Sequence, residues 1–359
     1  MRLAMGLVQR GHEVCVMAYD GPSPLDAELV ESDVLVETAD AVSRIDKVRA
    51  TRRWMRAFRP DVVHGFMKRA SSVAVLASMG QPRRPRVLAS DMSTATYARH
   101  RPVLWGALLL YALADGVVTQ TEENRRSLAL LAPWLRRRVA VVRNGVDTTA
   151  FAGPIERPRT GVFRFCVVGT VYSVKNPVRV VEAAAMLRDR GSGDFHIDWY
   201  GRRGLMGDDA PSDDYRAAIA RTKELALEAH VTFHGQVTDV AKALREAHAL
   251  LHVSLQEGFP NAVVEGMASG LPLVVSRVSD LPLVVAEAAN GTVVDQRSPA
   301  SIADGMLRIM RTSEAELVAM GRRSRELAAC WFGHERFVSD FETLYARLVR
   351  GRNGGRREP

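Results

Sequence analysis

Cysteine is scarce in this sequence. Cys15, Cys166 and Cys330 are the only three in 359 residues, and none joins a cluster of cysteines and histidines of the kind that grips a metal. A reducing, cytoplasmic setting and a protein with no bound metal or other cofactor are the expectations. Any apolar run approaching the roughly 18 residues of a membrane-spanning helix is also missing. The nearest stretch, Pro102 to Ala114, is shorter, stops at Asp115 and is predicted to be a buried helix. The amino end has no cationic segment followed by an apolar core and a cleavage site. No strand-like run leads into G-x-G-x-x-G with an acidic residue about twenty positions on, which argues against a dinucleotide-dependent oxidoreductase. No Asp-x-Asp lies in a loop suited to a metal, and Asp208, Asp209, Asp213 and Asp214 read as a solvated loop. Helix-turn-helix, zinc-finger and aromatic-platform patterns are missing too, so nucleic acid is not an expected partner.

What is present is an ordinary globular composition, 47% hydrophobic and 25% charged. A chain of this length exceeds one typical core, so two domains are expected. The net charge of +8 is placed unevenly. Residues 1–155 hold 22 Lys and Arg against 15 Asp and Glu, whereas the rest hold 27 against 26. Clusters such as Arg83, Arg84, Arg86 and Arg136, Arg137, Arg138 suit an anionic membrane face or an acidic acceptor. A solvated arginine-rich surface explains them equally well.

Short β-branched runs alternate with amphipathic helical stretches, the mark of parallel sheets with crossover helices. Strands are predicted at Glu13 to Ala18, Asp61 to Gly65, Arg86 to Ser90, Gly116 to Gln120 and Val139 to Arg143. A second series covers Phe163 to Gly169, Phe195 to Gly201, Val231 to Gly235, Leu250 to Ser254, Leu273 to Ser276 and Thr292 to Asp295. The predicted division is a first domain over 1–150, a Gly- and Pro-containing linker over 151–161 and a second domain over 162–331. A final helix over 332–350, with Phe337, Phe341, Leu344, Tyr345 and Leu348 on one side, precedes a disordered tail at 351–359. Because the chain opens on a helix, the first domain is expected to lack its first strand: either that strand lies upstream of Met1, or the domain has lost a central strand and the loop after it. Ligands of such sheets bind in loops that follow strands.

Two of those loops carry the chemistry. In Ser254 to Ser276 a strand gives way to Glu257, Gly258 and Phe259, Pro260 stands at the first helical position, and the helix stops at Gly270 with Pro272 beyond. The helix amino end favours an anion. Asn261 and Glu265 share one face, while Val263, Gly266 and Met267 are set to pack on the sheet. In Val167 to Ala183, Lys175 and Asn176 start a helix after Gly169 and Thr170. A lysine is unusual at the positive end of a helix unless an anion lies nearby, and its ammonium suits a diphosphate.

Glu257 to Val274 resembles the donor-binding signature of family 4 retaining glycosyltransferases of the GT-B fold. There, two glutamates bracket seven residues ahead of a Met-Ala-x-Gly-x-Pro run. Arg10 to Val14, Arg143 to Asp147 and the Val167 to Pro177 stretch are similar to further blocks of the family, and the similarity runs over about residues 1–349. The resemblance implies an α/β GT-B fold of two doubly wound Rossmann-like domains facing across a cleft. It implies metal-independent, retaining transfer of a sugar from a nucleoside-diphosphate donor to a hydroxyl acceptor. Synthesis of cell-surface polysaccharide, lipopolysaccharide or glycolipid is expected, with a lipid-linked acceptor and peripheral contact at the inner membrane face. Carried over by residue, Glu257 and Lys175 are catalytic, Glu257 near the anomeric region and Lys175 on the diphosphate. Glu265 binds the ribose, and amides at Gly258, Phe259 and Asn261 bind phosphate or sugar oxygens. Gly169, Thr170 and Asn176 complete the donor loop, and Gln236 lies by the nucleobase. Asp91, Tyr97 and Arg99 are the acceptor-side candidates, and His64 reads as structural or functional alike. Thr170 replaces a common arginine, for which Arg202 or Arg203 is expected to compensate. The alternative reading is a non-catalytic protein of this fold that binds a nucleotide sugar or a partner.

Overall fold

The computed structural model describes residues 1–19, 21, 26–92, 102–157, 161–191, 193–204 and 210–353. They form two compact units, one of Met1–Gly145 with His334–Pro359, the other of Val146–Gly333.

The first unit runs α1 (Arg2–Gln9), β1 (Cys15–Ala18), α2 (Asp26–Glu31), β2 (Leu35–Thr38), α3 (Arg44–Phe58), β3 (Val62–Gly65), α4 (Met67–Ser78) and β4 (Arg86–Asp91). It continues through α5 (Pro102–Tyr111), β5 (Gly116–Thr119), α6 (Glu122–Leu131) and β6 (Val139–Val141). Strand β2 was not expected from sequence. It is mostly exposed, so it carries no apolar alternation to announce it. Among the described residues all pairings here are parallel, and the sheet comes in two pieces, β1-β2 and β3-β4-β5-β6, the break expected of a doubly wound domain without its first strand. Helix α5 is a second correction. Leu108 and Tyr111 are buried, yet Leu109 is 61% and Trp105 38% exposed, so only one face of this apolar segment joins the core.

The second unit contains β7 (Phe163–Val168), α7 (Pro177–Asp189), β8 (Phe195–Tyr200), α8 (Asp213–Glu224), β9 (Val231–Gly235), α9 (Val240–Glu246) and β10 (Ala249–His252). Then come α10 (Asn261–Ala268), β11 (Leu273–Ser276), α11 (Leu281–Ala288), β12 (Gly291–Val294), α12 (Pro299–Arg311) and α13 (Glu314–Phe332). Among the described residues its six strands are ordered β12-β11-β10-β7-β8-β9. Both faces are covered, which is why β10 and β11 are buried at every position. Val274 belongs to one core, with Phe165, Ile197 and Ile302. Its neighbours Leu273 and Val275 belong to the other, with Val263, Met267 and Leu281.

The strand order fixes where a ligand belongs. From β7 the chain builds outward through β8 and β9, then returns to lay β10 against the other edge of β7. The loops after β7 and β10 therefore diverge at the point where strand order reverses, the crevice in which open parallel sheets bind ligands.

The last helix, α14 (His334–Asn353), belongs to the first unit. Its Val338, Phe341 and Leu344 pack with Leu3, Leu7, Leu88 and Val118. Expected from Phe332, it starts two residues later, because Phe332 ends α13 and Gly333 is extended. It also passes through Gly351 to Asn353, three residues into the expected tail. Among the described residues no helix is long and apolar enough to cross a membrane.

Candidate functional site

After β7 the chain turns at Gly169, whose carbonyl accepts a 2.8 Å hydrogen bond from the Trp199 indole. An added Cβ at Gly201 would meet that same carbonyl oxygen at 2.0 Å, so the ends of β7 and β8 approach closely only because a glycine stands there. Ser173–Lys175 then form one 3-10 turn, and Asn176 adopts the left-handed conformation before Pro177 opens α7. Lys175 thus sits in the turn ahead of the helix, not in its first residues as the sequence suggested. Asn176 is corrected in role. Its side chain is buried, and Nδ2 donates to the Val253 carbonyl at 3.1 Å and the Gln296 carbonyl at 2.7 Å. It fastens the lysine loop to the segments that follow β10 and β12. The Leu255 amide adds a 2.7 Å bond to the Val174 carbonyl between the same two loops.

The acidic group is also revised. Asp213 and Asp214 lie in the first turn of α8, capped by Ser212, and Asp214 Oδ2 accepts from the Ser173 amide at 2.7 Å. Asp214 supports the lysine turn, whereas Asp213, paired with Arg216, is solvated as expected but lies in a helix and not a loop. Asp208 and Asp209 lie outside the described residues.

The loop after β10 brings Glu257 against Lys175. Lys175 Nζ stands 2.6 Å from Glu257 Oε1, with the two side chains only 18% and 13% exposed. His252 Nε2 reaches the same oxygen at 3.0 Å, and Ser254 Oγ lies 3.2 Å from that nitrogen. Phe259 anchors the loop by stacking on Phe332 at 4.9 Å, and the Ser279 hydroxyl donates to the Gly258 carbonyl. Pro260 is the N-cap of α10, one place earlier than predicted. The rest of this helix follows the pattern: Val263 and Met267 are buried, and an added Cβ at Gly266 would lie 2.9 Å from Leu250. Asn261 is exposed and Glu265 half-buried, both on the face turned away from the sheet.

Burial alone would raise the Glu257 carboxyl. The hydrogen bond and electrostatic attraction of His252, and then the Lys175 charge and hydrogen bond, outweigh it and hold the group down to about 2. Burial lowers His252 against the opposing pull of Glu257. Tyr172 is pushed up, first by burial and then by the Glu257 charge. An ionised carboxylate, a lysine and the amino end of an eight-residue helix therefore gather beyond the carboxyl ends of the central strands β7 and β10. Such a site accepts an anion at the lysine and helix end, and hydroxyl donors at the carboxylate.

The remaining candidates are less concentrated. Thr170 is half-buried in the turn after β7, and Gln236 is exposed after β9. Arg203 sits over Tyr215, 5.8 Å from its ring centre, and about 3.5 Å from where a Cβ on Gly235 would stand. That places it at the turn after β9, on the Gln236 side. In the first unit Asp91 ends β4 with no exposed surface, its Oδ1 3.6 Å from Lys68 Nζ, so it is an internal group and not a loop contact. Tyr97 and Arg99 lie outside the described residues. His64 is half-buried with both ring nitrogens engaged inside the first unit: Nδ1 meets Tyr345 Oη at 2.7 Å and Nε2 meets Ser90 Oγ at 2.6 Å. Among the described residues no group of three or more His, Cys, Asp and Glu is arranged to hold a metal ion.

A lysine and a helix amino end at the switch point of a parallel sheet mark a doubly wound protein with a place for an anionic ligand. The particular family follows from comparison. Residues 162–312 match the family described as glycosyl transferases group 1, and residues 1–150 match glycosyltransferase family 4. The chain belongs to this glycosyltransferase family. It is 28% identical over 152 residues to N-acetyl-alpha-D-glucosaminyl L-malate synthase of Bacillus anthracis, an alignment covering 42% of this chain and 39% of that protein. It is 27% identical over 254 residues to D-inositol 3-phosphate glycosyltransferase of Corynebacterium glutamicum, covering 67% of this chain and 59% of that protein. The chain thus spans well under two thirds of the length of either relative. In fold it is similar to HepE of Anabaena, crystallised in complex with UDP, with a TM-score of 0.81, 16% identity and 96% of each chain covered.

Proposed function

We propose that this chain moves a sugar from a nucleoside-diphosphate donor to a hydroxyl acceptor, retaining configuration and without a metal ion. The observation that carries the reading is the meeting of Lys175 and Glu257 at 2.6 Å beside α10. In the transfer the bond from the anomeric carbon to the diphosphate oxygen breaks and a bond to the acceptor oxygen forms. The acceptor's proton leaves with the diphosphate. The charge that develops on the leaving group is met by the Lys175 ammonium and the helix amides, fixed donors that need no rearrangement during the reaction. Glu257, ionised and held, accepts hydrogen bonds from hydroxyls of the transferred sugar, and Glu265 those of the ribose. Retention rests on the family resemblance.

UDP is expected to stabilise the full chain by on the order of 2.7 kcal/mol at a hundredfold excess over Kd. The shift in melting temperature should be the same with and without EDTA, and NAD should produce none. If no nucleoside diphosphate raises the melting temperature, or if EDTA abolishes release of UDP from UDP-glucose, the reading fails.

The acceptor is proposed to be lipid-linked, in cell-surface polysaccharide, lipopolysaccharide or glycolipid synthesis, with the basic amino-terminal part on a membrane face. The support is that residues 1–155 hold 22 Lys and Arg against 15 Asp and Glu. Co-sedimentation with phosphatidylglycerol vesicles that is lost with phosphatidylcholine vesicles is the expected result. Equal partition onto both would refute the electrostatic contact.

A further inference from the structure

His252 enters the site from beneath. It ends β10, a strand paired on both sides, and its side chain is 2% exposed. Its Nε2 lies 3.0 Å from Glu257 Oε1, the same oxygen that Lys175 Nζ approaches at 2.6 Å. One carboxylate oxygen thus has two donors of different kinds. The lysine is on a flexible stem, whereas the imidazole is set in the sheet.

The geometry points to His252 as the positioning residue for Glu257: its Nε2–H holds the carboxylate when Lys175 turns from Glu257 to the diphosphate of a bound donor. This rests on the donor reading given above. A carboxylate can only accept, so the nitrogen facing it must carry the proton, and an uncharged ring then has Nδ1 bare. With the lysine drawn to a diphosphate, Glu257 would be a nearly buried carboxylate stripped of its ion pair, and such a group takes up a proton or swings out. The charged and titratable groups facing it are Lys175 from the turn after β7, His252 from β10 and Tyr172 beside the lysine. Of these, the imidazole alone is locked by the sheet. His252 touches neither donor nor acceptor in this account and acts through Glu257.

The test compares the wild-type chain with His252→Leu and His252→Gln. A glutamine amide can present an N–H close to where Nε2 stands. UDP-glucose hydrolysis is followed against pH, alongside UDP affinity by calorimetry and melting temperature. His252→Leu is expected to bind UDP nearly as well as wild type, to lose about 10²-fold in kcat and to move the acid limb of the profile to higher pH. His252→Gln restores most of the rate and the original limb. A leucine variant with wild-type rate and limb, or a folded glutamine variant no better than leucine, overturns the proposal. A readout independent of turnover comes from 15N spectra, with His252 assigned by its loss in the glutamine variant. The proton is expected on Nε2, both alone and with UDP, and a bare Nε2 or a doubly protonated ring overturns the assignment. Failure of the wild-type chain to bind UDP would count against the donor reading, while the spectrum of the free chain still decides the state of His252.

Discussion

Lys175→Ala is expected to slow release of sugar from a nucleoside-diphosphate donor by on the order of 10²- to 10³-fold, the scale of removing one well-aimed donor to a developing charge. The lysine is 18% exposed and its loop is fastened by Asn176 and Leu255, so its ammonium is held beyond the end of β7, where the proposed donor would place its diphosphate. UDP affinity should weaken as well, because UDP carries the same diphosphate as the leaving group. Lys175→Arg should recover little. The lysine stem passes within 3.2 Å of a Cβ position on Gly169, leaving scant room for a planar guanidinium, and a fork of donors is not equivalent to a point charge. Steady-state rates with UDP-glucose and calorimetry with UDP give both quantities. Near-wild-type turnover in the alanine variant would remove the lysine from the mechanism.

Glu257→Gln should cause a loss of similar order, about 10²-fold or more in kcat, and it carries a second signature in stability. In the folded chain the carboxyl is held down to about 2, below its ordinary value of 4.5, by the His252 hydrogen bond and the Lys175 charge against the opposing effect of burial. A group depressed in the native state binds fewer protons there than in the unfolded chain. Its contribution is therefore full above the unfolded value and is lost as pH falls from about 5 toward 2. By linkage it is worth on the order of 3 kcal/mol near neutral pH. Urea denaturation of wild type and Glu257→Gln at pH 7 should separate the two, and the gap should close as pH falls through that window. A gap of constant size from pH 7 to pH 3 would show that the carboxylate is not held as described.

Much of this site was legible before any coordinates, because it is written in short-range chemistry. A strand, Glu257-Gly258-Phe259, a helix whose sheet face holds Val263, Gly266 and Met267, and a stop at Gly270 all lie within two dozen residues. Lys175 was legible as a charge in an unusual place. What could not be read was that these segments adjoin, since strand order depends on how β10 finds β7 across the intervening residues 169–248. Three roles were missed for the same reason. His252 looks like the last residue of a buried strand until Glu257 turns back onto it, although a histidine at a strand end five residues before the glutamate was a usable signal. Asp214 looks like loop charge until its carboxylate meets the Ser173 amide. Asn176 looks like a ligand contact until its amide is found bonded to two carbonyls from distant segments. In the amino-terminal unit the mostly exposed strand β2 was missed, whereas the division into two sheets was foreshadowed by a chain that opens on a helix where a strand belongs.

The anchoring of Asn176 restricts what the lysine can do. With the peptide chain on either side moored to the ends of β10 and β12, Lys175 moves by rotation of its own carbon–carbon bonds and by little else. Grasping or letting go of an anion is then a change of rotamer over a few ångströms that exchanges the Glu257 contact for the anion without remodelling the loop. The speed of any slower event in a catalytic cycle must be set elsewhere in the molecule.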